Sequence, residues 1–233
     1  MKTKNLKKTI TRWVLRIVLF FFLSSLAATI IYSFIRVPIT PLMIIRLTEG
    51  LFSGDPVGIH KKWTPIKEIS PNMVRAVVAS EDQLFLEHNG FDFNAIDKAR
   101  KHNEHSRRKR GASTISQQTA KNVFLWPART WFRKGLEVYF TVLIEIFWSK
   151  ERIMEVYLNV AEMGNGYYGV GAAAPHFFNK KPSQLTKAEA AAIAACLPDP
   201  RRRNPAKPSP YVAGRRNAIL RHMNQINPID FSK

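Results

Sequence analysis

The chain has 233 residues and a formal net charge of +19, from 36 Lys and Arg against 17 Asp and Glu. That length allows one good domain or two small ones, and the basic excess points to a polyanionic partner: nucleic acid, anionic lipid or a phosphorylated substrate. Cys196 is the single cysteine, which excludes an internal disulfide, and no Cys/His cluster has zinc-ligand spacing.

Residues 1–12 form a basic tail carrying Lys2, Lys4, Lys7, Lys8 and Arg12. From Trp13 onward the chain is apolar, and Ile17 to Ile35 is 19 residues without a charge. As a helix that run spans a hydrocarbon core of about 30 Å. The basic flank comes first, which predicts a cytoplasmic N-terminus and an exported remainder. The run is too long for a signal-peptide core and continues past the weak small-residue site Leu26, Ala27, Ala28, so an uncleaved anchor is expected. The expected organisation is a tail at 1–12, a transmembrane anchor at 13–36 and one domain at 37–233. Residues 36–69 read as irregular, punctuated by Pro38, Pro41, Pro56 and Pro65, with a short interfacial helix over 41–47.

Ser70 as N-cap and Pro71 at the first helical position predict a helix running to His88. Val74, Val77, Val78, Glu81, Leu84, Phe85 and His88 share one face of it, and Asn89-Gly90 is a natural stop. Glu81 stands where the pattern wants an apolar residue. A carboxylate held against Val77, Val78 and Phe85 would be partly desolvated, with a raised pKa suited to proton transfer near neutral pH. The plainer alternative, which these residues alone favour, is a Glu at the core margin paired with an Arg.

A short helix is expected over Phe91 to Arg100. It runs into a charge-dense segment, Lys98 to Arg110, which is either a nucleic-acid patch or a solvated loop; it lacks the interleaved aromatics of base stacking. In the next segment Gly111 loosens the backbone and Ser113 is expected to cap a helix from Thr114. Ser113, Gln117 and Lys121 then fall on one face, either as an anion site at a helix N-terminus or as an ordinary polar helix. Val123 to Trp131, with Arg129, Arg133 and Lys134 beside it, suits a surface dipping into a membrane interface or a loop folded onto the core.

An amphipathic helix starts at Thr130 or Trp131, with Phe132, Leu136, Phe140, Leu143, Ile144 and Phe147 expected on its core face and Arg133 and Glu137 placed to pair. Ser149 caps a mostly apolar helix whose polar stripe, Glu151, Glu155 and Asn159, lines a wet cleft or faces solvent. Gly164 to Gly171 is a Gly-rich turn without the β-α-β context of a dinucleotide site. Ala172 to Phe178 reads as helix, Thr186 caps an Ala-rich helix to Leu197 in which Cys196 is expected to be buried, Pro198 to Pro210 is a rigid basic loop, and Tyr211 to Asn224 is a last helix. The exported part is therefore mostly α.

Taken together these segments resemble the peptidoglycan glycosyltransferases, the lysozyme-like family that polymerises lipid II, in their monofunctional form. The resemblance is carried by Glu81-Asp82-x-x-Phe85-x-x-His88-x-Gly90-Phe91-Asp92, by Gly111-x-Ser113-Thr114-Ile115-x-Gln117-Gln118-x-x-Lys121-Asn122, by Arg133-Lys134-x-x-Glu137, by Ile153-Met154-Glu155-x-Tyr157-Leu158-Asn159, and by Gly171 to Phe178 with Leu185 to Pro198. Pro175-His176-Phe177 departs from the x-Tyr-Phe of relatives. The resemblance implies a lysozyme-like bilobal helical domain behind a single transmembrane helix. It further implies that Glu81 is the general base and Glu155 a second essential carboxylate, orienting cations or holding Mg²⁺ or another divalent cation. Ser113, Gln117, Gln118, Lys121, Asn122, Arg129, Arg133 and Lys134 would bind substrate and its diphosphate. Implied partners are lipid II, the growing glycan, the bilayer of the bacterial inner membrane and other cell-wall synthesis proteins, with no nucleic acid and no organic cofactor.

Two rivals stay open. A lysozyme-like hydrolase also uses a Glu in a cleft but has no diphosphate to neutralise. An anchored basic binding protein leaves Glu81, Glu155 and the paired glutamines unexplained. A transpeptidase domain is not expected: the one Ser-x-x-Lys match, Ser106 to Lys109, lacks a Lys-Thr-Gly partner.

Overall fold

The N-terminal basic and apolar residues form one uninterrupted helix, α1 (Lys2–Phe34), in the computed structural model, which describes residues 2–54, 57–106 and 110–231, and no side chain before residue 8 or at residue 53. The helix includes the basic tail as well as the apolar run, because neither Pro nor Gly occurs before Pro38 to break it. Residues 8–34 are long and apolar enough to cross a membrane. Leu15, Phe20 and Phe34 are 62%, 73% and 83% exposed. The hydroxyls of Ser24, Ser25, Thr29 and Ser33 each donate to a carbonyl one turn back, so they suit an apolar solvent.

The chain divides into two compact units, Met1–Arg36 and Val37–Lys233. The second begins with α2 (Pro41–Ser53), capped by Thr40 and longer than expected. Ile44, Leu47, Leu51 and Phe52 are exposed along it, Phe52 to 93%. Strand β1 (His60–Lys61) follows. The expected Pro56 break and residues 107–109, with the Lys109 of the Ser-x-x-Lys match, lie outside the described residues.

Two helix groups build the core. In one, α3 (Pro71–Glu81), α9 (Lys187–Cys196) and α10 (Pro210–Gln225) pack together. Every residue from Ala190 to Cys196 is buried, and the small alanine side chains let both neighbours approach closely. Burial pushes the Cys196 thiol up to about 11. In the other group α5 (Ile115–Phe124) packs on α6 (Trp131–Phe147) and α7 (Lys150–Val160). Between the groups in sequence lies α4 (Phe93–His105), capped by Asp92. A small sheet in the order β1-β3-β2, from β2 (Glu162–Gly164) and β3 (Tyr167–Tyr168), leads into α8 (Val170–Phe178). Gly171 is required there: a Cβ would stand 2.0 Å from the Lys62 carbonyl oxygen. The departure at His176 is accommodated by stacking on Tyr167, with ring centroids 3.7 Å apart.

Three expectations are corrected. The helix expected to reach His88 ends at Glu81; Leu84 and the buried Phe85 come from the following turn. The buried face of α6 is Arg133, Glu137, Phe140, Thr141 and Ile144, whereas Phe132 is 72% exposed and Phe147 40%. An internal ion pair turns that helix, leaving Trp131, Val138, Val142 and Ile146 outward. Finally, the stripe on α7 divides: Glu151 lines a small pocket of about 270 Å³ with Ile66, Pro71 and Arg75, whereas Asn159 faces inward. Asn159 is buried and grips Thr64, its Oδ1 accepting from the Thr64 N–H at 2.7 Å and its Nδ2 donating to the Thr64 carbonyl at 2.8 Å. The segment 62–69, irregular but for a 3-10 turn at Ile66–Glu68, leaves backbone groups of Thr64 and Ile66 without a sheet or helix partner, and α7 supplies the partners.

Candidate active site

Asp82 explains why α3 stops where it does. Its backbone leaves the helical region, and its side chain, 2% exposed, is shared by three segments. The Ile115 N–H at the start of α5 donates to Asp82 Oδ2 at 3.0 Å, and His88 Nε2 lies 2.9 Å from Oδ1. The Gly90 N–H donates to His88 Nδ1 at 3.2 Å, which leaves the ring hydrogen on Nε2, donated to Asp82. Gly90 has φ +86, and a Cβ there would meet Thr141 at 2.8 Å. Thr114 caps α5 and binds the Gly90 carbonyl at 2.7 Å. The turn 82–90 and α5 are thereby clamped together, with Glu81 at the seam.

Glu81 has polar partners where the sequence pattern suggested an apolar wall. Ser80 Oγ donates to Oε1 at 2.9 Å and Gln118 Nε2 to Oε2 at 3.0 Å, while an Arg215 amino group lies 3.5 Å from Oε1. Glu81 is therefore both Arg-paired and on a cleft wall. The Tyr157 O–H donates to Gln118 Oε1 at 3.2 Å, which fixes the amide orientation. Burial first, and the Glu81 charge second, push the Tyr157 hydroxyl well above its usual range, so it stays a donor.

Glu81, Asp82, Ser113, Gln118 and Arg215 line a cleft of about 1090 Å³, with α4 as its opposite wall. A smaller one of about 200 Å³ is lined by Gln118, Lys121, Asn122, Trp126, Tyr157 and Glu162 among others. Gln118 borders both. Ser113 lies outside α5, whose cap is Thr114, so the expected shared face with Gln117 and Lys121 does not form. Gln117 is 3% exposed and closes the capping box, its Oε1 accepting from the Thr114 N–H at 3.0 Å.

The four expected cations separate into two kinds. Lys121 has no hydrogen-bond or ion-pair partner among the described residues, yet burial lowers its pKa. Glu137 and Glu81 oppose that shift, and Arg133 and Lys134 add to it. A desolvated, unpaired cation gains most from an arriving anion. Arg133 and Lys134, by contrast, are both bound to Glu137, whose side chain is 4% exposed. Arg129 is exposed and lines neither cleft.

Glu137 thus holds two of the expected cations, whereas Glu155 pairs with Arg152. Glu155 Oε1 accepts from Arg152 at 2.6 Å and Oε2 from the Ile66 N–H at 2.9 Å. It does not fit a metal: both oxygens are engaged in holding the fold, and among the described residues no group of three His, Cys, Asp or Glu could hold an ion. Glu137 was legible as the pair of Arg133 and as the last residue of the Arg133-Lys134-x-x-Glu137 motif; the signal for its double pairing was the second cation, Lys134, three residues before it.

Against known proteins, the family model for Transglycosylase matches residues 53–224. The chain is 54% identical over 221 residues to a protein of Bdellovibrio bacteriovorus named biosynthetic peptidoglycan transglycosylase, covering 95% of this chain and 87% of the relative. A protein of the same name from Bacteroides thetaiotaomicron is 56% identical over 219 residues, covering 94% and 88%. One from Caulobacter vibrioides is 53% identical over 192 residues, covering 82% and 81%.

Proposed function

The chain belongs to the transglycosylase family as a peptidoglycan glycosyltransferase, and from that premise we propose that it polymerises lipid II at the seam between α3 and α5, without transpeptidase activity. The observation that carries the reading is the juxtaposition at Gln118: one edge meets a carboxylate on a wide cleft, and the neighbouring cleft holds an unpaired, desolvated Lys121. A base and an anion-binding cation on adjoining cavities are what transfer of a diphosphate-activated sugar requires.

Glu81 takes the proton from the acceptor's sugar hydroxyl as that oxygen bonds to the donor's anomeric carbon. The bond from that carbon to the diphosphate oxygen breaks, the configuration inverts, and the electron pair leaves with the polyprenyl diphosphate. Lys121 meets the charge that accumulates there, with the exposed Arg129 free to reach the outer phosphate. Glu137 keeps Arg133 and Lys134 in place behind Lys121 and so acts as a positioning residue. Asn122 and Ser113 complete the cavity walls.

The lipid tail of such a substrate stays in the bilayer. Supporting features are α1, which is apolar enough to span it, and the exposed apolar residues of α2 and of α6, where Trp131 is 92% exposed. The basic N-terminal flank supports a cytoplasmic position for that end and a catalytic unit on the outer side of the inner membrane. The test is incubation of detergent-solubilised full-length protein with purified lipid II. Glycan strands from the wild type and none from Glu81→Gln are expected; cleavage of finished glycan instead would replace this reading with the hydrolase.

A further inference from the structure

Within the charge-dense segment singled out in the sequence, the described residues Lys98, His102 and Arg110 face the wide cleft. On the outer side of α4, Arg100 and Lys101 both pair with Asp97, at 3.1 and 2.8 Å. Lys98 and His102, one turn apart, line the cleft instead, as does Arg110. Arg110 is held there by the Asn103 amide. Asn103 Nδ2 donates to the Arg110 carbonyl at 2.9 Å, and the Arg110 N–H donates to Asn103 Oδ1 at 2.7 Å. Among the described residues neither the Lys98 ammonium nor the Arg110 guanidinium has a hydrogen-bond or ion-pair partner.

The acids of the same cleft do not neutralise these cations. Glu81 is engaged by Ser80, Gln118 and Arg215, Asp82 by His88 and the Ile115 N–H, and Asp92 by the Ala95 N–H. The wall therefore presents uncompensated positive charge to whatever fills a cavity of about 1090 Å³. That volume is slightly above the range for small-molecule pockets, roughly 300–1,000 Å³, and leaves room for a branched ligand.

Resting on the polymerase reading above, we infer that Lys98 and Arg110 bind free carboxylates on the peptide branches of the peptidoglycan substrate. Its sugar backbone is neutral. The donor's diphosphate departs at the reaction centre, where Lys121 waits in the other cleft, and the acceptor's stays with its lipid tail at the bilayer. The anions left to meet the α4 wall are the carboxylates of the peptide. A guanidinium with a fixed backbone anchor and a lysine on a flexible stem suit groups at the end of a mobile branch.

The test uses the full-length protein with two substrates, lipid II with free peptide carboxylates and lipid II with those carboxylates converted to carboxamides. The wild type should favour the free-carboxylate substrate in kcat/KM by about 3- to 10-fold, mainly through KM, as expected for two exposed charge pairs. In Lys98→Ala/Arg110→Ala the ratio should fall to about one. A wild type that does not discriminate overturns the inference. So does a double variant impaired equally on both substrates, which would mean that these cations serve the diphosphate or lipid headgroups. Failure of the wild type to polymerise either substrate defeats the polymerase reading itself, and its own lane distinguishes that result.

Discussion

Glu81 and Glu155 look alike in the sequence: each is a carboxylate in a mostly apolar helix and each belongs to a motif. The structure gives them opposite surroundings. Glu81 ends its helix, receives side-chain donors and lines a cavity. Glu155 sits within α7 and binds a backbone N–H and an arginine of its own helix. On the proposed reading, what separates a reactive carboxylate from a structural one is the kind of partner. A backbone donor cannot be exchanged for substrate without disturbing the fold, whereas an amide side chain and an open cavity can be.

Mutation of the two sharpens this contrast most. Glu81→Gln should lower the polymerisation rate at least about 10³-fold, the scale of lost general-base catalysis, while thermal unfolding shifts by no more than about 2 °C. Retained activity would remove Glu81 from the reaction. Glu137→Ala tests a third case, a carboxylate that is structural towards its cations and functional through them. It should cost about 3–5 kcal/mol in denaturant unfolding, as for breaking a buried pair, and a further 10- to 100-fold in kcat of the protein that remains folded. Glu155→Ala should reduce unfolding free energy by about 1–3 kcal/mol, because the Ile66 N–H and Arg152 lose their acceptor, with kcat within about threefold of wild type. A loss of activity there comparable to that of Glu81→Gln would erase the distinction drawn here.

Smaller effects probe the neighbours of Glu81. Tyr157→Phe removes the hydroxyl that orients Gln118 and should lower kcat about 2- to 10-fold, the net worth of one hydrogen bond, with little change in KM. The pH profile tests Lys121. Its protonated form is the one that meets the leaving group, and burial lowers its pKa from the ordinary 10.5. Activity should therefore fall as pH rises through that lowered value, earlier than an ordinary lysine would allow. In Lys121→Arg the alkaline limb should move upward, because arginine stays charged. An unmoved limb would assign it to another group.

Much of this architecture could be read in advance where local chemistry decides it. Pro71 and Ser70 start α3, Ser149 starts α7 and the Thr186 capping box starts α9. The apolar run of α1 and the burial of Cys196 followed from composition alone. The errors arose where a distant segment decides. Leu84, Phe85 and His88 keep helical spacing although the chain has already turned, because Phe85 is buried from a turn that Asp82 holds. The face of α6 was misread because apolar residues surround it and the buried stripe is a salt bridge. The resemblance implied substrate binding for Gln117 and a second essential carboxylate in Glu155; the backbone groups that both also satisfy, in Thr114 and Ile66, carry no mark in the sequence.

The clamp at Asp82 has a consequence for local unfolding. The end of α3, the His88 turn and the first N–H of α5 share one carboxylate, so none can open without releasing the others. Fluctuations that expose this turn must also undock the start of α5 and, with it, the helix that carries Gln118. The amides of Ile115 and Gly90 should accordingly exchange with solvent as a single cooperative unit. The protein would then be found with its reaction centre whole or wholly absent, and seldom half assembled.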